Sequence, residues 1–324
     1  MSLWQRWLRQ PQDVLLRRVL FQVHLWTGIT LGLYLVVLCL SGSVLVYRSE
    51  LSRAFSPQPR IVTVSGEAMT EEELKSAARR AHPGYEVIDL RLGLKPDHAA
   101  EAMVERDGTI LQRLIDPYTG EDLGYVLPAG YRFTQWLLLL HDTLLLEDTG
   151  STLNALGALL LVVLCATGAV IWWPGIRSWR RSIAIETKAS WKRLNWTLHS
   201  ALGLWFFAFT LIWGVSGIYL SYPEPFVNLA DYYEPIENYE PGTRISDRII
   251  FWLAYLHFGR FRGRLPGCGP SCDQALKAVW AVVGLVPVAM FVTGALMWWN
   301  RVLRPSVRRS ENSITQVNLR AARK

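Results

Sequence analysis

Two stretches of the chain, His24 to Gly42 (HLWTGITLGLYLVVLCLSG) and His199 to Gly217 (HSALGLWFFAFTLIWGVSG), carry histidine, glycine, serine and glycine at the same offsets. No acidic or basic residue interrupts either stretch, and the charge-free runs extend from Val19 to Tyr47 and from Leu194 to Pro223. Two further such runs lie at Thr149 to Ile176 and Ala278 to Asn300. Each exceeds the roughly 20 residues that an α-helix needs to cross a bilayer. Four transmembrane helices are therefore expected. The first run follows Arg17 and Arg18, as a signal peptide would, but it is too long and ends in LVYRSEL with no small-x-small cleavage site, so it is expected to be retained.

The other two runs are related as well. WLLLLH (136–141) recurs as WLAYLH (252–257), and TGAVIWW (167–173) recurs as TGALMWW (293–299). The pattern predicts two copies of a two-helix unit sharing one topology, related by an axis along the membrane normal. The expected fold is an all-α membrane bundle of four transmembrane helices, with a small α+β insertion outside the membrane.

Composition agrees with a membrane class: 51% of the 324 residues are apolar and 15 are tryptophan. An ordinary cytosolic domain is excluded on those grounds. Of 34 basic residues, four lie in 1–19, six in 177–193 and seven in 301–324, with one acid in each segment. That bias predicts cytoplasmic termini and a cytoplasmic central loop, in a bacterial inner membrane. It also accounts for the net charge of +7, so no nucleic-acid partner is required.

The organisation that follows is a cytoplasmic N-terminus and first span at 1–48, an outer lobe at 49–130, and an outer helix with the second span at 131–176. A basic loop at 177–193, the third span at 194–223, an outer loop at 224–277, the fourth span at 278–300 and a basic tail at 301–324 complete it. In the lobe, Thr70-x-x-Glu73 predicts a capping box opening a helix to about Ala81. Alternating segments around 85–94, 100–106 and 109–115, and a turn at DPYTG, predict strands. The proline-containing segment YPEPFVNLADYYEPIENYEPG (222–242) is expected to be irregular.

Of six histidines, His82 and His98 fall in the lobe and are expected to be solvated. The other four are the repeated ones: His24 and His199 at the cytoplasmic ends of the first helices, His141 and His257 at the outer ends of the second. Each taken alone reads as an interfacial polar residue. As equivalent residues of two copies, they form two facing pairs. Zinc or copper would require further Cys, His or carboxylate ligands. Haem needs two axial bonds, and its flat apolar faces suit a helical bundle.

At about 100° per residue, Gly28 lies about 40° from His24 and Gly203 likewise from His199, a small face with room for a macrocycle. Small residues also serve helix packing, which is the competing reading. Cationic partners for haem carboxylates are at hand in Arg17, Arg18, Lys192 and Arg193 for the inner pair, and Arg260, Arg262 and Arg264 for the outer. The outer cluster is alternatively a site for an anionic substrate. One haem on a single histidine pair is compatible with the same residues. Cys39 and Cys165 read as packing residues, whereas Cys268 and Cys272 in PGCGPSC read as a short-loop disulfide, with a redox-active pair as the alternative.

The segments RRVLFQVHLWTGITLGLYLVVLCLSGSVLVYRSEL, LLLLHDTLLL, TGAVIWWPG, LHSALGLW and TGALMWW resemble the PepSY-associated transmembrane family, which includes inner-membrane ferric-siderophore reductases. The likeness covers nearly the whole chain, with the lobe at about 61–126 resembling the PepSY-type insertion. It implies two b haems held by His24, His141, His199 and His257, and reduction of a periplasmic ferric siderophore to release Fe(II). No Gly-x-Gly-x-x-Gly segment opens a helix after a strand, so the electron donor is expected to be separate, a cytosolic flavoprotein or a membrane quinol. Two other readings stand beside this one: a haem-free interaction or regulatory protein acting through its lobe, and a subunit of an iron-chelate transporter. Against the transporter, the spans hold no charged pathway residue and no expected helix break beyond Pro287, itself read as a tolerated kink.

Overall fold

The computed structural model describes residues 3–56, 59–175, 178–240, 243–261 and 265–305. The chain divides into two compact units, one formed by Met1–Tyr47 with Leu138–Lys324, the other by Arg48–Leu137.

The first unit is helical. It begins with α1 (Leu3–Arg9) and the long α2 (Leu15–Leu45). The last turns of α5 (Ala129–Thr143) lead into α6 (Glu147–Trp172), followed by the short α7 (Trp179–Ser182), α8 (Trp191–Trp205) and α9 (Phe207–Ser221). The chain continues through α10 (Glu224–Tyr233), α11 (Ile245–Phe258), α12 (Pro270–Val283) and α13 (Val286–Trp298). Among the described residues, α2, α6 and the α12–α13 segment to Leu303 are long and apolar enough to cross a membrane, and α8 with α9 makes a fourth if counted as one bent span. Helix α2 packs on both α6 and α13, α6 also packs on α9, and α13 on α8.

Without a hydrophobic drive between helices in lipid, close approach depends on small residues. A Cβ on Gly32 would overlap the Phe291 ring, and one on Gly157 would overlap Tyr34. Leucines such as Leu33, at 74% exposure, point outward where lipid would cover them.

Two expectations for this unit are corrected. The third span is not continuous: α8 and α9 meet at Phe206 with a bend of 61°. Neither proline nor glycine marks that point, so hydropathy and composition carry no signal of it. Pro287 is tolerated as expected: the backbone stays in the helical region through Gly284 and Leu285, the two residues between α12 and α13, and Pro270–Leu303 remains one span. Over its described part, 222–240, the segment 222–242 is not simply irregular either. Pro223 and Pro225 stand at the start of α10, again a position that tolerates proline.

The second unit has α3 (Arg48–Ala54), α4 (Glu71–Ala81) and an antiparallel sheet of β1 (Glu86–Arg91), β2 (Ala100–Arg106), β3 (Thr109–Ile115) and β4 (Asp122–Tyr125), in that order. Both halves of the predicted capping box form: the Thr70 side chain accepts from Glu73 N, and Thr70 N donates to Glu73 Oε2 at 2.8 Å. Ala100, Ala102 and Val104 alternate inward along β2 and join Leu74, Ala78 and Ile115 in the core. The strand β4 was not anticipated, since four residues interrupted by Gly124 give almost no alternation to read.

His82 and His98 are not solvated. His82 Nε2 lies 2.7 Å from Asp122 Oδ2, which also accepts from Arg113 at 2.7 Å, and His98 bridges to Ile61 with only 15% of its side chain exposed. Burial alone would raise the Asp122 carboxyl, but hydrogen bonds from Arg113 and the Gly124 N–H prevail and hold it below its ordinary value.

Candidate functional site

Within the helical unit, four imidazoles assemble in two pairs. The rings of His24 and His199 have centroids 6.5 Å apart at an interplanar angle of 87°, and those of His141 and His257 are 6.2 Å apart at 68°. Each pair draws one ring from the first half of the chain and one from the second.

How each ring is held follows from hydroxyl chemistry. His24 Nδ1 lies 3.1 Å from Thr167 Oγ1 and 3.2 Å from the Leu164 carbonyl; His199 Nδ1 lies 2.9 Å from Thr293 Oγ1 and 3.1 Å from the Met290 carbonyl. His141 Nδ1 lies 3.0 Å from Ser41 Oγ, and His257 Nδ1 lies 2.7 Å from Ser216 Oγ. A hydroxyl has one proton to give. Thr167 directs its proton to Val163 O at 2.7 Å, Thr293 to Ala289 O at 2.9 Å, Ser41 to Val37 O at 2.7 Å and Ser216 to Ile212 O at 2.6 Å. Each imidazole Nδ1 is then the donor. The Leu164 and Met290 carbonyls can only accept, and with the hydroxyl protons placed as above an Nδ1–H tautomer satisfies the anchors of all four rings and leaves each Nε2 lone pair directed away from its anchor.

These anchors are what sequence reasoning missed. Ser41 and Ser216 served only as landmarks of the repeat, and Thr167 and Thr293 only as parts of recurring strings. A signal was present, because hydroxyls inside charge-free spans at matched offsets from histidines are candidate ligand-orienting groups. Asn154 was missed too: its Nδ2 donates to the carbonyls of His141 and Asp142, each at 2.8 Å. The corresponding place in the other half is taken by Trp280, whose Nε1 donates to Leu256 O at 2.7 Å.

The connection after His141 is strained. Leu144, Leu145 and Glu147 have φ values of 50°, 61° and 51°, in the left-handed region that disfavours side chains. Gly150 is required beside them, since a Cβ there would overlap the Thr143 carbonyl.

The distance between the pairs can be gauged along α2, which carries His24 and, 17 residues later, Ser41. At about 1.5 Å per residue the separation is about 26 Å. Among the described residues no group of three or more His, Cys, Asp or Glu converges as a metal cage. A metal held by either pair would therefore have to bring its remaining donors with it.

The fit to such a group is favourable in dimension. Two imidazoles sharing one metal, with bonds of about 2 Å each, place their ring centroids about 6 Å apart. Room beside the rings is provided by glycines, though not always those expected. Gly168 and Gly294 stand against His24 and His199, where a Cβ would approach Cε1 to 3.2 and 3.4 Å, and Gly42 stands against His141 at 2.9 Å. A Cβ on Gly28 would meet only Leu164 Cδ2 at 3.6 Å, and one on Gly203 only the Met290 methyl at 3.1 Å.

The basic residues divide. Arg18 is exposed, whereas Arg17 donates to the Ile171 carbonyl at the end of α6. Arg193 is committed to Glu186 at 2.9 Å and lies over Trp196. The Arg260 guanidinium lies 5.7 Å from the centre of the Phe258 ring. Arg262 and Arg264 lie outside the described residues. Cys268 and Cys272 form a disulfide with Cα atoms 5.2 Å apart, and Cys39 and Cys165 are free thiols within α2 and α6.

No curated protein matches the sequence. The profile of the PepSY-associated TM region matches residues 21–235 and 234–301, which takes in all four histidines and their hydroxyl anchors. The chain belongs to the PepSY-associated TM region family.

Proposed function

We propose that this protein is a di-haem b reductase of the bacterial inner membrane, built from two copies of a two-helix unit, that passes electrons outward to a ferric siderophore or similar chelate and releases Fe(II). The observation that carries the proposal is the common state of four rings. Each is held through Nδ1 by a hydroxyl, an anchoring that leaves Nε2 to face a ligand, and the rings stand in two pairs at a spacing suited to one metal apiece. Two apposed acceptors without a donor between them are costly in an apolar interior, so an electrophile is the natural occupant.

His24 and His199 would hold one haem and His141 and His257 the other. When bound, each haem supplies a one-electron iron couple. The protein's own contribution is orientation and insulation. Thr167, Thr293, Ser41 and Ser216 set ring direction and keep Nε2 deprotonated. Asn154 and Trp280 tie down the backbone of the helices that carry His141 and His257. The apolar spans keep water from the rings.

Orientation follows from the basic segments 1–19, 177–193 and 301–324, which put the His24–His199 pair toward the cytoplasm and the His141–His257 pair toward the periplasm. A cytosolic flavoprotein or a membrane quinol would serve as donor at the inner pair. The choice of a ferric chelate as acceptor rests on the family resemblance.

The test is an absorption spectrum of detergent-purified protein, oxidised and then reduced with dithionite, with haem per chain measured as the pyridine haemochromogen. Two low-spin b haems per chain are expected, followed by oxidation of the reduced protein on adding a ferric siderophore, with Fe(II) trapped by a colorimetric chelator. Protein that stays colourless after haem supplementation would overturn the haem reading. Two haems with no reaction toward ferric chelates would overturn the acceptor.

A further inference from the structure

At the inner end of the bundle, three buried indole nitrogens have no hydrogen-bond partner among the described residues: Nε1 of Trp172, Trp173 and Trp298. Two of them are equivalent positions of the recurring string, Trp172 in TGAVIWW and Trp298 in TGALMWW. An unpaired buried N–H forfeits about 1–3 kcal/mol. Meeting the same cost at matched places in both halves argues for an acceptor that the described residues do not supply.

Helix geometry says on which face these side chains stand. Gly168 and Gly294 face the rings of His24 and His199. Trp172 and Trp298 follow those glycines by four residues, so each lies on the same face of its helix one turn nearer the end. From the anchoring threonines to the tryptophans is five residues, about 7.5 Å along the axis. Arg17 reaches the same level by donating to Ile171 O, next to Trp172, and it has no acidic partner among the described residues. Since α6 ends at Trp172, that carbonyl terminus is electronegative, and the guanidinium offsets it.

Resting on the haem reading above, we propose that Arg17, Trp172 and Trp298 form an anion cradle for the carboxylate side arms of the tetrapyrrole held by His24 and His199. The indole N–H groups donate to the carboxylate oxygens, and Arg17 supplies the compensating charge. Arg18 and Arg193, favoured by sequence position, are turned to solvent or engaged by Glu186.

The experiment measures haem transfer from the full-length protein in detergent to an excess of an apo-haem scavenger, for ordinary haem and for its dimethyl ester. Wild-type protein is expected to release the ester at least tenfold faster than the free acid from one of its two sites. The double variant Trp172→Phe with Trp298→Phe is expected to release the free acid at least tenfold faster from that site and to show no added effect with the ester. Trp299→Phe, at the exposed neighbouring position, should match wild type. Equal release of acid and ester by the wild type overturns the cradle without requiring any variant to fold, and so does a double variant that retains both haems at the wild-type rate. Wild-type protein that takes up no haem would instead sink the haem reading and the cradle with it.

Discussion

Replacing Gly28 by alanine sets packing and cofactor binding against each other. A Cβ at this position would meet only Leu164 Cδ2 at 3.6 Å, an ordinary contact, and Gly28 lies in the interior of α2. Alanine in a helix interior is favoured over glycine by about 0.8–1 kcal/mol. If the face beside His24 does nothing but pack, Gly28→Ala gains most of that, about a fivefold shift in the folding equilibrium and a rise in Tm of about 2 °C. If a flat macrocycle covers the face, the methyl group occupies its space. The expected outcome is a variant whose apoprotein is at least as stable as the wild-type apoprotein and which, once loaded, carries about one haem per chain where the wild type carries two. Thermal unfolding in detergent and the pyridine haemochromogen assay on one preparation give both numbers. A variant with raised Tm and a full haem complement would refute the reasoning and reduce Gly28 to a helix-packing residue. Gly203→Ala has the same logic, since its one close neighbour is the flexible end of Met290.

Gly42→Ala places a Cβ 2.9 Å from His141 Cε1, so it should disturb the outer pair selectively, read as loss of one haem with the other spectrum unchanged. Thr293→Val removes the 2.9 Å anchor of His199 and should weaken haem retention at the inner pair by 10–100-fold, with Thr293→Ser restoring it. Leu145→Gly relieves a left-handed φ of 61° and should stabilise the protein by about 1 kcal/mol in chemical unfolding; destabilisation would show that the turn is not strained. In the β-sheet unit, the depressed pKa of Asp122 means that its contribution is present at neutral pH and is lost as pH falls through a value below the ordinary carboxylate range. Protection of β3 and β4 amides, taken relative to the intrinsic exchange rate at each pH, should therefore fall in acid in the wild type, while Asp122→Asn should be weakly protected at every pH.

Much of this architecture could be read from residues alone. Charge-free runs located the spans because the cost of burying a charge in lipid leaves a plain mark, and the Thr70 capping box and the alternation of Ala100, Ala102 and Val104 are local patterns with local causes. The pairing of His24 with His199 and His141 with His257 followed from matched offsets. What stayed hidden depends on tertiary packing. The break at Phe206 involves no helix-breaking residue. The Asp122 network joins His82 to a carboxylate 40 positions away. Thr167 and Ser41 reveal their role only when an imidazole from another helix arrives on them. Arg17 and Arg18 are adjacent in sequence, and helical phase alone decides which turns inward.

Helix α2 is one rod carrying His24 near one end and Ser41, the anchor of His141, near the other. Its counterpart is two rods meeting at 61°, with His199 on the first and Ser216 on the second. A substitution that rotates α2 must move both ends together, whereas one in α8 can be absorbed at Phe206 before it reaches α9. The second half of the chain is thus free to vary one end at a time. Among relatives, divergence should concentrate there, with α2 as the fixed ruler against which the two centres are adjusted.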